Sequence, residues 1–229
     1  MRLPVWIFWL AIAAAYGAGT RDLEAARDRQ DRAALEKQAA DFAANARQRT
    51  SDAAAQYQAA LAASYQAEVA LELRDKIQAQ RAAEAGIGFA ERAIAIDGGN
   101  AEYHRVLATL CGQVIPANVL GGLRYGKRAQ EAIAKALELD PKSSRAWLAR
   151  GVGNYYLPTP FGPGIDTAIA DMRKAIELDP RNADAQLWLG LALRKANRIA
   201  DARQAFARSL ELNPARVWVK QQLEKTPAR

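Results

Sequence analysis

Ala175–Arg181 reads A-I-E-L-D-P-R, and Ser209–Ala215 reads S-L-E-L-N-P-A. In each, a small residue and aliphatic side chains at helical spacing run into Asp-Pro or Asn-Pro. Proline lacks an amide hydrogen and turns the residue before it away from the α conformation, so both stretches end a helix. Ala136–Lys142 (A-L-E-L-D-P-K) repeats the phrase, and Ala93–Asn100 (A-I-A-I-D-G-G-N) repeats it with glycines in place of proline. Pro180 and Pro214 stand 34 residues apart, Pro141 and Pro180 39, Gly98 and Pro141 43. Self-similarity at such a period is the mark of a repeat architecture. A helix-turn-helix unit of 34 residues, lengthened twice by an inserted loop, accounts for all three spacings.

The rest of the unit follows the same logic. Small residues (Ala129, Ala136, Ala168, Ala175, Ala202) stand where two helices must approach closely, and Ile133, Met172 and Phe206 follow four residues after three of them. Trp147 with Gly151, and Leu189 with Gly190, supply bulky and small contacts on the first helices. The pattern resembles the tetratricopeptide repeat (TPR). The unit Ala183–Pro214 carries Leu189-Gly190, Ala202, Phe206 and Pro214 at that family's spacing, and the preceding unit carries Trp147, Gly151, Ala168, Ala175 and Pro180. In the unit ending at Pro141, His104 takes the tryptophan place and Cys111 the tyrosine place; the one ending near Gly98 keeps Gly86 and Ala93. Ala53, Tyr57 and Ala60 hold the same phase further back. The loops are similar to those of a bacterial, often exported, subgroup of the family, with Gly162-Pro163-Gly164 where that subgroup has a Gly-Gly pair.

The expected fold is therefore all-α: an α-solenoid of helix-turn-helix, TPR-like repeats over 53–214, with a capping helix in 215–229 and a long helical segment before it. Residues 20–52 are rich in Ala, Arg, Asp and Gln, with Leu23, Leu35 and Phe42 the large apolar residues of 21–50. So sparse a seam predicts a solvated stalk. Residues 1–19 begin with one charge, Arg2, and run apolar from Leu3 to Tyr16. That is short of the ~20 residues a membrane span needs; it suits a signal peptide or an uncleaved anchor, and export to the periplasm or anchorage facing it.

Half of the chain is hydrophobic by a count that includes many alanines, and aromatics are 7%. The net charge of +7 sits in the last 88 residues, which carry 15 Lys/Arg against 8 Asp/Glu. Such a surface suits acidic partners, yet no nucleic-acid motif accompanies it, so no specific nucleic-acid binding is expected. Chemistry finds little support. F-G-P-G-I-D-T (161–167) lacks the lysine of a phosphate loop, and Pro163 removes a backbone donor. Gly86-Ile87-Gly88 has no third glycine. His104 and Cys111, the one histidine and the one cysteine, lie seven residues apart on a helix as core positions of a repeat. No catalytic residue, metal site or cofactor is expected, and the protein is not read as an enzyme.

Binding is the better reading. The first helices of stacked repeats line a concave groove, and the repeat phase directs Arg105, Thr109, Arg145, Leu148, Val152, Tyr155, Leu187, Leu191, Arg194 and Lys195 into it. Arginine forks there suit carboxylates of a protein or peptide. The carboxylate clamp of chaperone-binding TPR proteins is not implied, because Leu148 and Val152, or Leu187 and Leu191, hold its places. The inserts Val114–Gly126 and Leu157–Gly164 fall on one edge, where Ile115, Val119, Leu120, Tyr125 and Phe161 offer an apolar loop surface. The leading expectation is a non-catalytic interaction module or scaffold in an extracytoplasmic compartment. Two alternatives stand beside it: a small-ligand-binding transport accessory protein, and a membrane-tethered structural protein that self-associates through its N-terminal helix.

Overall fold

The computed structural model of the chain describes residues 19–118, 121–157 and 164–227. All regular structure among them is helical: α1 (19–28), α2 (Arg32–Gln48), α3 (Ala53–Glu72), α4 (Lys76–Ile96), α5 (Ala101–Val114), α6 (Gly122–Leu139), α7 (Ser144–Tyr156), α8 (Gly164–Leu178), α9 (Ala183–Lys195), α10 (Ile199–Leu212) and α11 (Val217–Glu224). The order is that of an α-solenoid. Each of the hairpins α3–α4, α5–α6, α7–α8 and α9–α10 packs on the next, with α11 closing the end.

Two kinds of turn make the stack. Within hairpins, Gln30, Arg74 and Asn197 adopt left-handed φ of 54°, 65° and 59°. The amide of the following residue then bonds a carbonyl five residues back: Asp31 to Ala26 (2.9 Å), Asp75 to Ala70 (2.8 Å) and Arg198 to Leu193 (2.8 Å). This is the Schellman closure, which satisfies carbonyls the helix end leaves open. Between hairpins, Asp97, Asp140, Asp179 and Asn213 each accept from the amide two residues on, at 3.0–3.2 Å. These Asx turns are what the repeated Asp/Asn-Pro and Asp-Gly phrases encode. Three residues after the first three of them, Asn100, Ser143 and Asn182 cap α5, α7 and α9.

The small residues do what their spacing implies. A Cβ added at Gly190 would lie 2.6 Å from the Phe206 ring, and one at Gly86 would lie 2.7 and 2.8 Å from Leu110 and Ala63. Trp147 Nε1 donates to the Pro141 carbonyl at 2.9 Å, and His104 Nε2 contacts the Gly98 carbonyl at 3.0 Å. The two side chains do one job in successive repeats, tying a first helix to the turn before it. Cys111 is buried, and burial pushes its thiol up to about 12, which makes it a poor nucleophile.

Residues 20–52 differ from the solvated stalk expected of them. α1 and α2 form a hairpin with the same Schellman turn as α3–α4, and they pack on α3. Leu23, Ala26 and Leu35 are fully buried with Ala62 and Val69, and Phe42 packs against the same cluster. Gln56 of α3 donates to the Ala46 carbonyl at 2.6 Å. Alanine-rich helices approach closely enough for a few large side chains to fill the gap, so a sparse apolar pattern still buries its seam. The hairpin is in effect one further repeat. Residues 1–18, the expected signal peptide or anchor, lie outside the described residues, and among the described residues no helix is long and apolar enough to cross a membrane.

Candidate interaction surface

The helices α3, α5, α7 and α9 are in mutual contact in that order, and the faces they turn away from their hairpin partners form the concave lining. Tyr57 and Tyr103 stack there with centroids 5.2 Å apart. Tyr57 donates to Glu102 at 3.3 Å. Arg105 Nε donates to both Glu102 oxygens at 3.0 Å. Burial works to lower the Arg105 pKa, yet Glu102 and the nearby tyrosines hold it above the ordinary arginine value. Thr109 donates back to the Arg105 carbonyl at 3.1 Å. Arg105 and Thr109 are thus satisfied within α5.

Other expected groove residues separate into two sets. Leu187 and Leu191 are core, at 0% and 4% exposure, packed with Phe206 and Val219. Arg194 is committed to the C-terminal end, donating to Gln222 Oε1 at 2.9 Å and Thr226 Oγ1 at 3.0 Å. These three correct the sequence phasing, which treats every inward position as open; Phe206 of α10 and the side chains of α11 cover this face of α9. Leu148 and Tyr155 are half-buried against the same core. Lys195 is exposed but donates to the Tyr155 carbonyl at 2.6 Å and sits 4.5 Å from that ring centre. Arg145 keeps a side chain 59% exposed, with a 3.9 Å ion contact to Glu102. Val152 is half-exposed about two turns further along α7, and Tyr156 is 62% exposed beyond it. Tyr155, Tyr156, Trp188 and Trp218 join edge to face at 5.0–5.9 Å.

Of the loop residues, Ile115 and Tyr125 are half-buried, and Tyr125 packs on the N-terminal core. Val119, Leu120 and Phe161 lie outside the described residues.

One cluster was not expected. Arg216 occupies the place in the last junction that Asn100, Ser143 and Asn182 occupy in the others, and its side chain makes no cap bond. At 1% exposure it reaches back to α3 instead. There it donates to Glu68 Oε1 at 2.7 Å and to Glu72, and to the Arg27 carbonyl at 3.3 Å. Arg27 of α1 grips Asp184 of α9 at 2.8 Å and Asp28 at 2.7 Å, under the Tyr65 ring at 5.0 Å. Asn213 donates to Asp28 at 2.7 Å, Gln30 to Glu72 at 2.8 Å, and Gln221 to Gln30 at 3.0 Å. Burial pushes Glu72 up to about 7, a rise that Arg216 only partly offsets. Burial also works to raise Asp184, but Arg27 and Arg216 hold it below the usual carboxylate range. A line reading D-x-x-N, D-P-K-S, D-P-R-N and then N-P-A-R was the signal available in the sequence.

Among the described residues no group of three His, Cys, Asp or Glu side chains is placed to hold a metal. Two clefts lie at the N-terminal end: one of about 480 Å³ beside Gly19, Lys37 and Phe42, and one of about 250 Å³ between α2, α3 and α4.

Residues 22–159, from α1 to just past α7, match the family described as regulator of microtubule dynamics protein 1-3. The chain belongs to that family. Residues 164–216, from α8 to the foot of α11, match a tetratricopeptide repeat family, so this regulator of microtubule dynamics family member carries recognisable TPR sequence where the repeat phrase is cleanest. No curated protein matches the sequence. Among solved structures, TTC0263, a thermophilic TPR protein of Thermus thermophilus, superposes with a TM-score of 0.64 at 16% identity, over 85% of this chain and 91% of that one. The HusA haemophore of Porphyromonas gingivalis superposes with a TM-score of 0.60 at 21% identity, over 78% and 92%. These likenesses show the fold, a TPR solenoid.

Proposed function

We propose that the protein is a non-catalytic scaffold that holds an acidic segment of a partner protein along the inner face of α7, in an extracytoplasmic compartment. The observation that carries this reading is Arg145, a cation on the concave lining that keeps most of its side chain in water and faces Glu102 only at 3.9 Å. Positions 145, 152 and 156 recur at helical spacing, so Arg145, Val152 and Tyr156 form a stripe with a charged end and an aromatic end. Lys195 lies beside that aromatic end. An extended segment with a carboxylate and an apolar side chain suits it. The apolar run Leu3–Tyr16 supports export or anchorage on sequence grounds alone.

The test is fluorescence anisotropy with a labelled glutamate-rich peptide, comparing wild type with Arg145→Glu and Lys195→Glu. Binding that weakens at least tenfold in both variants supports the stripe; equal binding by all three sinks it. Pelleting with polymerised microtubules, which the family description names, uses the same variants and a second probe. Fusion of residues 1–30 to a reporter active only after export tests the compartment.

The alternatives draw less support. The helix expected to self-associate is folded against α3 in its own chain.

A further inference from the structure

A solenoid is held by neighbour-to-neighbour contacts, and its two ends are free unless something joins them. Here something does. Arg27 and Asp184 are 157 residues apart in sequence, Asp28 and Asn213 185, Arg216 and Glu72 144. Each of these bonds links the first two hairpins to the last repeat or its cap, and all must break together for the ends to part. Four carboxylates (Asp28, Glu68, Glu72, Asp184) surround two guanidiniums, and Arg216 Nε is buried without a hydrogen-bond partner. Nε approaches Asp28 and Asp184 only at 3.7 and 3.9 Å. The set is therefore joined but has carboxylates in excess and one donor unbonded, unlike the pair of Arg150 with Asp171, which has two hydrogen bonds and a third from Asn154.

We propose that this cluster is a latch that holds the superhelix closed, with Arg216 as its moving part and Glu72 as the group that sets its strength. The idea rests on the reading of the concave side as the partner surface, since opening the latch widens access to it.

Glu72 is faced by Gln30 from the α1–α2 turn, Arg216 from the foot of α11, Glu68 on its own helix, and Tyr156 from α7. Closed, it holds its proton up to about pH 7; opened to water, it returns to the ordinary carboxylate range. The closed form thus binds the proton more tightly, so by linkage closure strengthens as pH falls through 7 and weakens as pH rises through it. Glu68, also raised by burial, acts in the same direction. Asp184, held low, opposes it only in acid below the usual carboxylate range.

Small-angle scattering of the full chain without partner, with far-ultraviolet dichroism to monitor helix, tests this. A compact chain of this length has a radius of gyration of roughly 17 Å. Wild type is expected to be larger at pH 8.5 than at pH 6. Glu72→Gln, which mimics the protonated side chain, is expected to stay compact at both, and Arg216→Ala to be extended at both. Equal wild-type size at the two pH values overturns the proposal, as does a fully helical Arg216→Ala of closed size. Should Arg216→Ala lose helix, Arg216→Lys decides: it keeps the charge but loses the fork, and a size and pH response like wild type overturn the latch. With no partner present, an unchanged size refutes the latch alone, while lost peptide discrimination at Arg145 refutes the partner surface alone.

Discussion

The first three hairpins and the last two stack in the same way on different side chains. Around α3–α6 the buried set is mostly alanine, with Leu61, Phe89, Val106 and Leu110 among the larger residues. Around α8–α10 it is Met172, Leu187, Leu191 and Phe206, edged by Trp188 and Trp218. A glycine marks the close approach in both: Gly86 backs onto Ala63 and Leu110, Gly190 onto the Phe206 ring. Close packing of small residues and insertion of one aromatic ring are two solutions to one distance between helices. Only the second leaves a pattern of large residues that reads as a repeat.

The difference can be broken by substitution. Phe206→Ala is expected to cost about 3–5 kcal/mol, seen as a lower midpoint in chemical denaturation and as early hydrogen exchange in α9 and α10. Leu110→Ala, among alanines that already approach closely, belongs lower in the range of about 2–5 kcal/mol. A larger loss at Leu110 than at Phe206 would overturn the comparison. Gly86→Val places carbon against Ala63 and Leu110 and is expected to cost about 1–3 kcal/mol by overpacking; an unchanged thermal midpoint would mean the N-terminal core is loose enough to give way. Ser143→Ala removes the α7 cap bond to Ala146, 3.1 Å in length, for about 1 kcal/mol. The same loss is expected from Asn100→Ala, so unequal losses would show that the junctions are not equivalent.

Much of the fold was legible for a local reason. Asp-Pro and Asn-Pro stops, Asx turns and helix caps act within four or five residues, so Asp140, Ser143, Asp179 and Asn182 announce their junctions wherever the chain goes. His104 was readable as a partner of Trp147 by phase, and both bond the turn behind them. The first hairpin was not readable in this way, because Leu23 and Leu35 bury their surface against Ala62 and Val69 on another helix. Of the candidate site, Arg145 is exposed and Val152 half-exposed, while Leu187, Leu191 and Arg194 are taken up by contacts with α10, α11 and the residues after it. A capping helix was expected after Pro214, but nothing local says which side chains of α9 it meets.

From Ala53 onward the sequence by itself determined the hairpins, the Asp/Asn junctions between them and the order in which they stack, since each depends on neighbours within a repeat. Tertiary structure alone decided how far the stack curves, and hence that Arg27 meets Asp184 and Arg216 meets Glu72. Those pairs are set by the sum of small rotations over every hairpin between them, and a charge has no sequence signature for a partner more than a hundred residues away.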